Sequence, residues 1–119
     1  MKARIEKVSA ITLKVADMDS SVRFYREVLG MELLYGGPNA GFSSLRIPGT
    51  EFPIINLEQG RTAVRWGRMI FHVADVDAFW IRLKEKGFEP DSPRDASWGE
   101  RYFHIDDPDG HELSFARPL

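Results

Sequence analysis

Two stretches decide the fold: Ile11-Thr12-Leu13-Lys14-Val15-Ala16-Asp17-Met18-Asp19 and Met69-Ile70-Phe71-His72-Val73-Ala74-Asp75-Val76-Asp77. Each is a run of aliphatic and β-branched residues, the composition of a strand. Each ends on Val-Ala-Asp-x-Asp, and Asp17 and Asp75 are 58 residues apart, close to half of the 119-residue chain. A fixed offset of that size marks an internal duplication.

The same elements follow both copies. Asp17 and Asp75 stand where a helix N-cap belongs, because a carboxylate there accepts from the first unpaired backbone amides. Asp19 and Asp77 suit the positive end of the helix dipole. Val76, Phe79, Trp80 and Leu83 form one apolar stripe at helical spacing, which places Trp80 in the core. Val22, Tyr25, Val28 and Leu29 form a less regular one. Gly30 and Gly87 end the helices. Strand-like runs follow at 31–35, 42–47 and 54–58 in the first half. In the second they follow at Phe88, 101–105 and 112–116, the last two joined by the turn Asp106-Asp107-Pro108-Asp109-Gly110. Each half therefore reads β-α-β-β-β. The fold class is α+β, with two tandem βαβββ modules at about 1–60 and 61–119 in a single domain. The linker 59–64 is too short to separate independent domains.

Composition narrows the function. Hydrophobic residues make up 43% and charged residues 29%, the balance of a globular protein. A net charge of −2 gives no basic surface for nucleic acid. No apolar run is long enough to span a bilayer, and the first residues lack the apolar core of a signal peptide, so a cytoplasmic location is expected. The absence of cysteine removes disulfides, thiolate metal sites and cysteine nucleophiles.

The duplicated βαβββ unit, Phe24-Tyr25-x-x-Val28-Leu29-Gly30-Met31 and Asp107-Pro108-Asp109-Gly110-His111-Glu112-Leu113 together resemble the vicinal oxygen chelate (glyoxalase/bleomycin-resistance/dioxygenase) superfamily. The resemblance covers essentially the whole chain and implies a ligand cleft built from the two modules. It also implies a homodimer and, in the enzymes, one divalent metal held by His, Gln or Glu from four strands. By register those positions are Ala10, Asn56, Arg68 and Ser114. Ala10 has no donor, Asn56 and Ser114 are weak neutral donors, and the fixed charge of Arg68 repels a cation. No metal or other cofactor is therefore expected. The alternative is a divalent Zn, Fe, Mn or Ni ion held at other positions.

With no metal expected, Arg68 is open to two readings. It is a cationic anchor for an anionic ligand, or an arginine paired internally with Glu112 or Glu58. Trp66 shares its strand face, and Trp98 lies in a loop where an exposed aromatic makes a ligand platform. The segment Gly99-Glu100-Arg101-Tyr102-Phe103 followed by Asp107-Pro108-Asp109-Gly110 resembles the metal-free bleomycin-resistance branch. Members of that branch bind a bulky cationic drug in an acidic groove, whereas Arg68 and Lys14 suit an anionic or neutral aromatic ligand. The ligand-binding residues expected are Asn56, Trp66, Arg68, His72, Trp98, Tyr102, Glu112 and Ser114. The three histidines read as exposed or partly buried polar residues, with His104 on a strand without a defined partner and His111 at a turn. No nucleophile or acid–base pair is evident, so the function expected is metal-independent binding that sequesters a small molecule. The alternative is a lyase, isomerase or dioxygenase of the same superfamily acting on a small oxygen-bearing substrate.

Overall fold

A computed structural model describes residues 3–61 and 68–119. The chain forms two compact units, Met1–Thr62 and Ala63–Leu119. In the first, β1 (Ala10–Val15) leads into α1 (Met18–Arg23), which runs on as a π-helical turn at Phe24–Val28. Strands β2 (Glu32–Tyr35), β3 (Phe42–Arg46) and β4 (Ile54–Gln59) follow. In the second, β5 (Arg68–His72) leads into α2 (Val76–Glu85), then β6 (Arg94–Asp95), β7 (Glu100–Asp106) and β8 (Glu112–Pro118). The sheets have the same order, β1-β4-β3-β2 and β5-β8-β7-β6. In each the first and last strands of the unit are parallel and the remaining pairs antiparallel. The fold is α+β with two like βαβββ modules.

Both caps form as their chemistry requires. Asp17 accepts from the amides of Asp19 and Ser20 at 3.1 and 3.5 Å, and Asp75 from Ala78 at 3.0 Å. The first helix is one residue longer than the second between its cap and its closing glycine, 12 residues (18–29) against 11 (76–86). The π turn, in which the Leu29 amide bonds the Phe24 carbonyl five residues back, absorbs the extra residue. It is also why the stripe at Val22, Tyr25, Val28 and Leu29 departs from 3.6-residue spacing. Val22 and Tyr25 are buried, whereas Val28 and Leu29 fall at the helix end and are half-buried.

Strand parity separates two faces. Leu13, Val15, Leu45, Ile55 and Leu57 are buried in the first unit with Met18, Val22 and Tyr25. In the second, Met69, Phe103, Ile105, Leu113 and Phe115 are buried with Val76 and Leu83, and Phe79 of α2 stacks on Phe115 at 4.7 Å. Each fully buried aliphatic or aromatic side chain stabilises the fold by about 1.5–3 kcal/mol. The closing turn is held by Asp107, whose Oδ1 accepts from the amides of Asp109 and His111, both at 2.9 Å.

Three expectations change. The run at Phe88 is not a strand: its amide caps α2 by bonding the Leu83 carbonyl, and Pro90 has no amide to give a ladder. The fourth strand of this sheet is instead the two-residue β6. Trp80 is half-buried rather than core. It lies at the edge of α2, with Nε1 donating to the Pro90 carbonyl at 3.2 Å and Lys84 over its ring. His111 is buried, at 2% exposure, inside the Asp107 turn. Of the linker 59–64, Gln59 is still strand, and its last residues lie outside the described ones. Among the described residues no helix is long and apolar enough to cross a membrane.

Candidate functional site

The helix-free face of the second sheet is a grid of side chains set by register. Asp106, Glu112 and Arg68 lie across it in one row, His104, Ser114 and Ile70 in the next, and Tyr102, Ala116 and His72 in the third. Arg94 of β6 sits opposite Tyr102. Glu100 lies one step further along β7. This face gathers six of the expected site residues: Arg68, His72, Trp98, Tyr102, Glu112 and Ser114. Asn56 belongs to the other unit, on the corresponding face of the first sheet. Trp66 lies outside the described residues.

The first row is ionic. Arg68 Nε lies 3.6 Å from Glu112 Oε2, with side chains 43% and 39% exposed, a loose pair in water. Of the two expected partners Glu112 is the one in contact, while Glu58 pairs with Lys14. The second row holds the residue that spacing alone did not single out. His104 Nδ1 lies 2.7 Å from Ser114 Oγ, so His104 has a defined partner. Burial first, and then the charge of Arg68, hold the His104 imidazole below its ordinary range and keep it neutral near pH 7.

The third row begins an aromatic ladder. Trp98, 63% exposed, stands 5.4 Å from Tyr102, and Tyr102 stands 5.1 Å from His104. The Arg94 guanidinium covers the Tyr102 ring at 5.6 Å. Trp98 is held in place by its Nε1, which donates to Glu100 Oε1 at 3.0 Å, and the other oxygen of Glu100 faces His72 Nε2 at 3.3 Å. The ladder flanks a floor of small residues, Ser114 and Ala116 on β8, with Ile70 and His72 opposite. Arg101, between these residues on β7, points to the other face. It clamps Asp77 of α2 with two 2.8 Å bonds, which hold that carboxyl below its usual range. Its role is structural.

The positions that carry metal ligands in enzymes of the resembling family do not fit a divalent cation here. Ala10 on β1 offers no donor. Asn56 on β4 accepts from Ser44 Oγ at 2.7 Å and donates to Thr12 Oγ1 at 3.3 Å. Ser114 is engaged by His104, and Arg68 brings a positive charge. Among the described residues no three His, Asp or Glu side chains converge as a metal site.

Comparison with known proteins agrees with this architecture. Residues 7–115 match the model of the Glyoxalase/Bleomycin resistance protein/Dioxygenase superfamily. The chain is 24% identical over 117 residues to the metallothiol transferase FosB of Staphylococcus epidermidis, covering 92% of this chain and 80% of that protein. A solved superfamily member from Sphaerobacter thermophilus superposes with a TM-score of 0.81 at 25% identity, over 94% of this chain and 97% of its own. TnmS3, an antibiotic binding protein from Streptomyces sp. CB03234, superposes with a TM-score of 0.77 at 25% identity, over 97% and 98% of the two chains.

Proposed function

The chain belongs to the glyoxalase/bleomycin resistance protein/dioxygenase superfamily, and from that premise we propose that it is a metal-independent binding protein for a planar aromatic small molecule, neutral or anionic. The observation that carries this reading is the ladder Trp98–Tyr102–His104 beside the small floor of Ser114 and Ala116. An exposed indole, fixed by its own hydrogen bond, gives a flat apolar surface at little entropic cost. The hydroxyls and imidazole beside it orient a ligand without doing chemistry on it. The antibiotic-binding neighbour lends support to sequestration as the purpose.

Metal independence rests on the donor set, since Arg68 and Ser114 hold two of the positions where an enzyme of this fold needs imidazole or carboxylate. The same reading takes the protein to be a homodimer, to be checked by sedimentation.

The test is a thermal-shift screen of planar aromatic antibiotics and aromatic carboxylates, with and without chelator. Hits are followed by quenching of tryptophan fluorescence in the wild type and in Trp98→Ala. Saturable quenching that survives chelator and is lost in Trp98→Ala is the expected result. Binding that needs Zn²⁺, Ni²⁺, Mn²⁺ or Fe²⁺, or stoichiometric metal in protein purified without chelator, overturns the reading in favour of an enzyme.

A further inference from the structure

The two-residue strand β6 pairs with β7 close to the turn that joins them, Arg94 opposite Tyr102 and Asp95 opposite Arg101. Strand alternation then sorts the two charges of β6. Asp95 shares the face of Arg101 and accepts from its Nη1 at 3.0 Å. Arg94 comes to the other face, where its guanidinium lies over the Tyr102 ring at 5.6 Å. It makes no side-chain ion pair among the described residues. Both carboxylates of the hairpin beside it are engaged, Asp95 by Arg101 and Glu100 by Trp98 and His72. Asp106 stands four residues beyond Tyr102 on β7, ~13 Å along the strand at ~3.3 Å per residue. The first module does not repeat this feature. There β2 ends at Tyr35, opposite Ser44, one row short of Phe42, the counterpart of Tyr102.

We propose that Arg94 selects the ligand of the ladder site, an aromatic carboxylate whose ring lies on Trp98 and whose carboxylate pairs with the Arg94 guanidinium. The inference rests on the aromatic-ligand reading and narrows it from neutral or anionic molecules to acids. Three observations support it. The guanidinium and the exposed indole both stand against Tyr102, at 5.6 and 5.4 Å, so one small molecule can reach both. A guanidinium lying over a ring keeps the N–H groups of its edge for a bidentate pair with a carboxylate. And Arg68, the other cation of this face, has Glu112 at 3.6 Å to offset its charge, whereas Arg94 has no such partner among the described residues. The charge of Arg94 also reaches into the site: burial first, then Arg68 and Arg94, hold the His104 imidazole below its ordinary range.

The probes are naphthoate and its neutral isostere naphthamide, compared by isothermal titration at one ionic strength. Each is titrated into the wild type, Arg94→Gln, Arg94→Lys and Arg68→Met. The expected result is that the wild type binds naphthoate at least about fivefold more tightly than naphthamide, the scale of an exposed charge pair. Arg94→Gln brings the two probes to equal affinity. Arg94→Lys keeps part of the preference, because an ammonium has the charge without the fork. Equal binding of the two probes to the wild type overturns the proposal and leaves the aromatic-ligand reading standing. So does a preference that survives in Arg94→Gln; if Arg68→Met then removes it, the anion sits on Arg68. Binding of neither probe overturns the aromatic-ligand reading and this proposal together.

Discussion

His104 and Ser114 share a 2.7 Å hydrogen bond at the same register as Ser44 and Asn56, which share one of the same length in the first sheet. Duplication has kept a polar link between the third and last strands of each module while changing both of its members. The link occupies Asn56 and Ser114, two positions the resemblance reserves for metal. A ligand on the second sheet therefore meets an imidazole and a hydroxyl already committed to each other.

That commitment has a pH signature. His104 has its imidazole pKa held below the ordinary 6.5 by burial and by Arg68. The unfolded chain then binds a proton at a higher pH than the folded one, so stability rises with pH across the interval. The contribution is present above about 6.5 and is lost as pH falls through that value towards the folded pKa. Urea unfolding between pH 7.5 and 5 is expected to show a falling midpoint, and His104→Gln to flatten that part of the slope. A midpoint that stays level in the wild type would sink the argument.

Arg68→Met tests the first row of the grid. Its pair with Glu112 is long and about two-fifths exposed on both sides, so its loss costs no more than about 1 kcal/mol. The same change removes a charge that disfavours the imidazolium form of His104, and the His104 pKa is expected to move up. NMR titration of the imidazole carbons measures it. A large fall in Tm with no change at His104 would mean that Arg68 is a structural residue alone.

How far the sequence revealed this site depended on what spacing can carry. The N-caps, the element order and the parity placing Arg68 with His72 and Glu112 with Ser114 are local patterns, and they were legible. The partner of His104 was not, because it depends on how β7 registers against β8. Tyr102 corresponds to Phe42 at an offset of 60, whereas Ser114 corresponds to Asn56 at 58, so the loops differ in length between the halves. The strand expected at Phe88 failed for a reason that was visible, Pro90, combined with one that was not, the bond by which the Phe88 amide closes α2 on the Leu83 carbonyl. The irregular first helix held its own signal, an extra residue that the π turn takes up.

Phe115 is the centre of the second core. It is 1% exposed and lies against Phe71, Phe79 and Phe103 at ring distances of 5.6, 4.7 and 5.2 Å. Phe115→Ala leaves a cavity among three rings that cannot all move inward, at a cost of about 3–5 kcal/mol. Phe115→Leu keeps most of the volume and is expected to cost less than half as much. Denaturant midpoints of the two variants distinguish this packing account from a general intolerance of the strand.

Two glycines separate backbone strain from lack of space. Gly30 and Gly36 share φ = +78°, in the left-handed region where a side chain costs about 1–2 kcal/mol. A Cβ on Gly30 meets nothing within 4 Å, so Gly30→Ala shows that strain alone. A Cβ on Gly36 runs into the Phe42 carbonyl and comes within 2.7 Å of Ser43 Oγ, the buried hydroxyl that accepts from the Gly37 amide. Backbone cannot yield as a side-chain tip does. Gly36→Ala is therefore expected to cost more than about 3 kcal/mol, by opening the β2–β3 turn as well as straining it. Equal losses of Tm in the two variants would show that the turn relaxes freely and that Ser43 does not fix it.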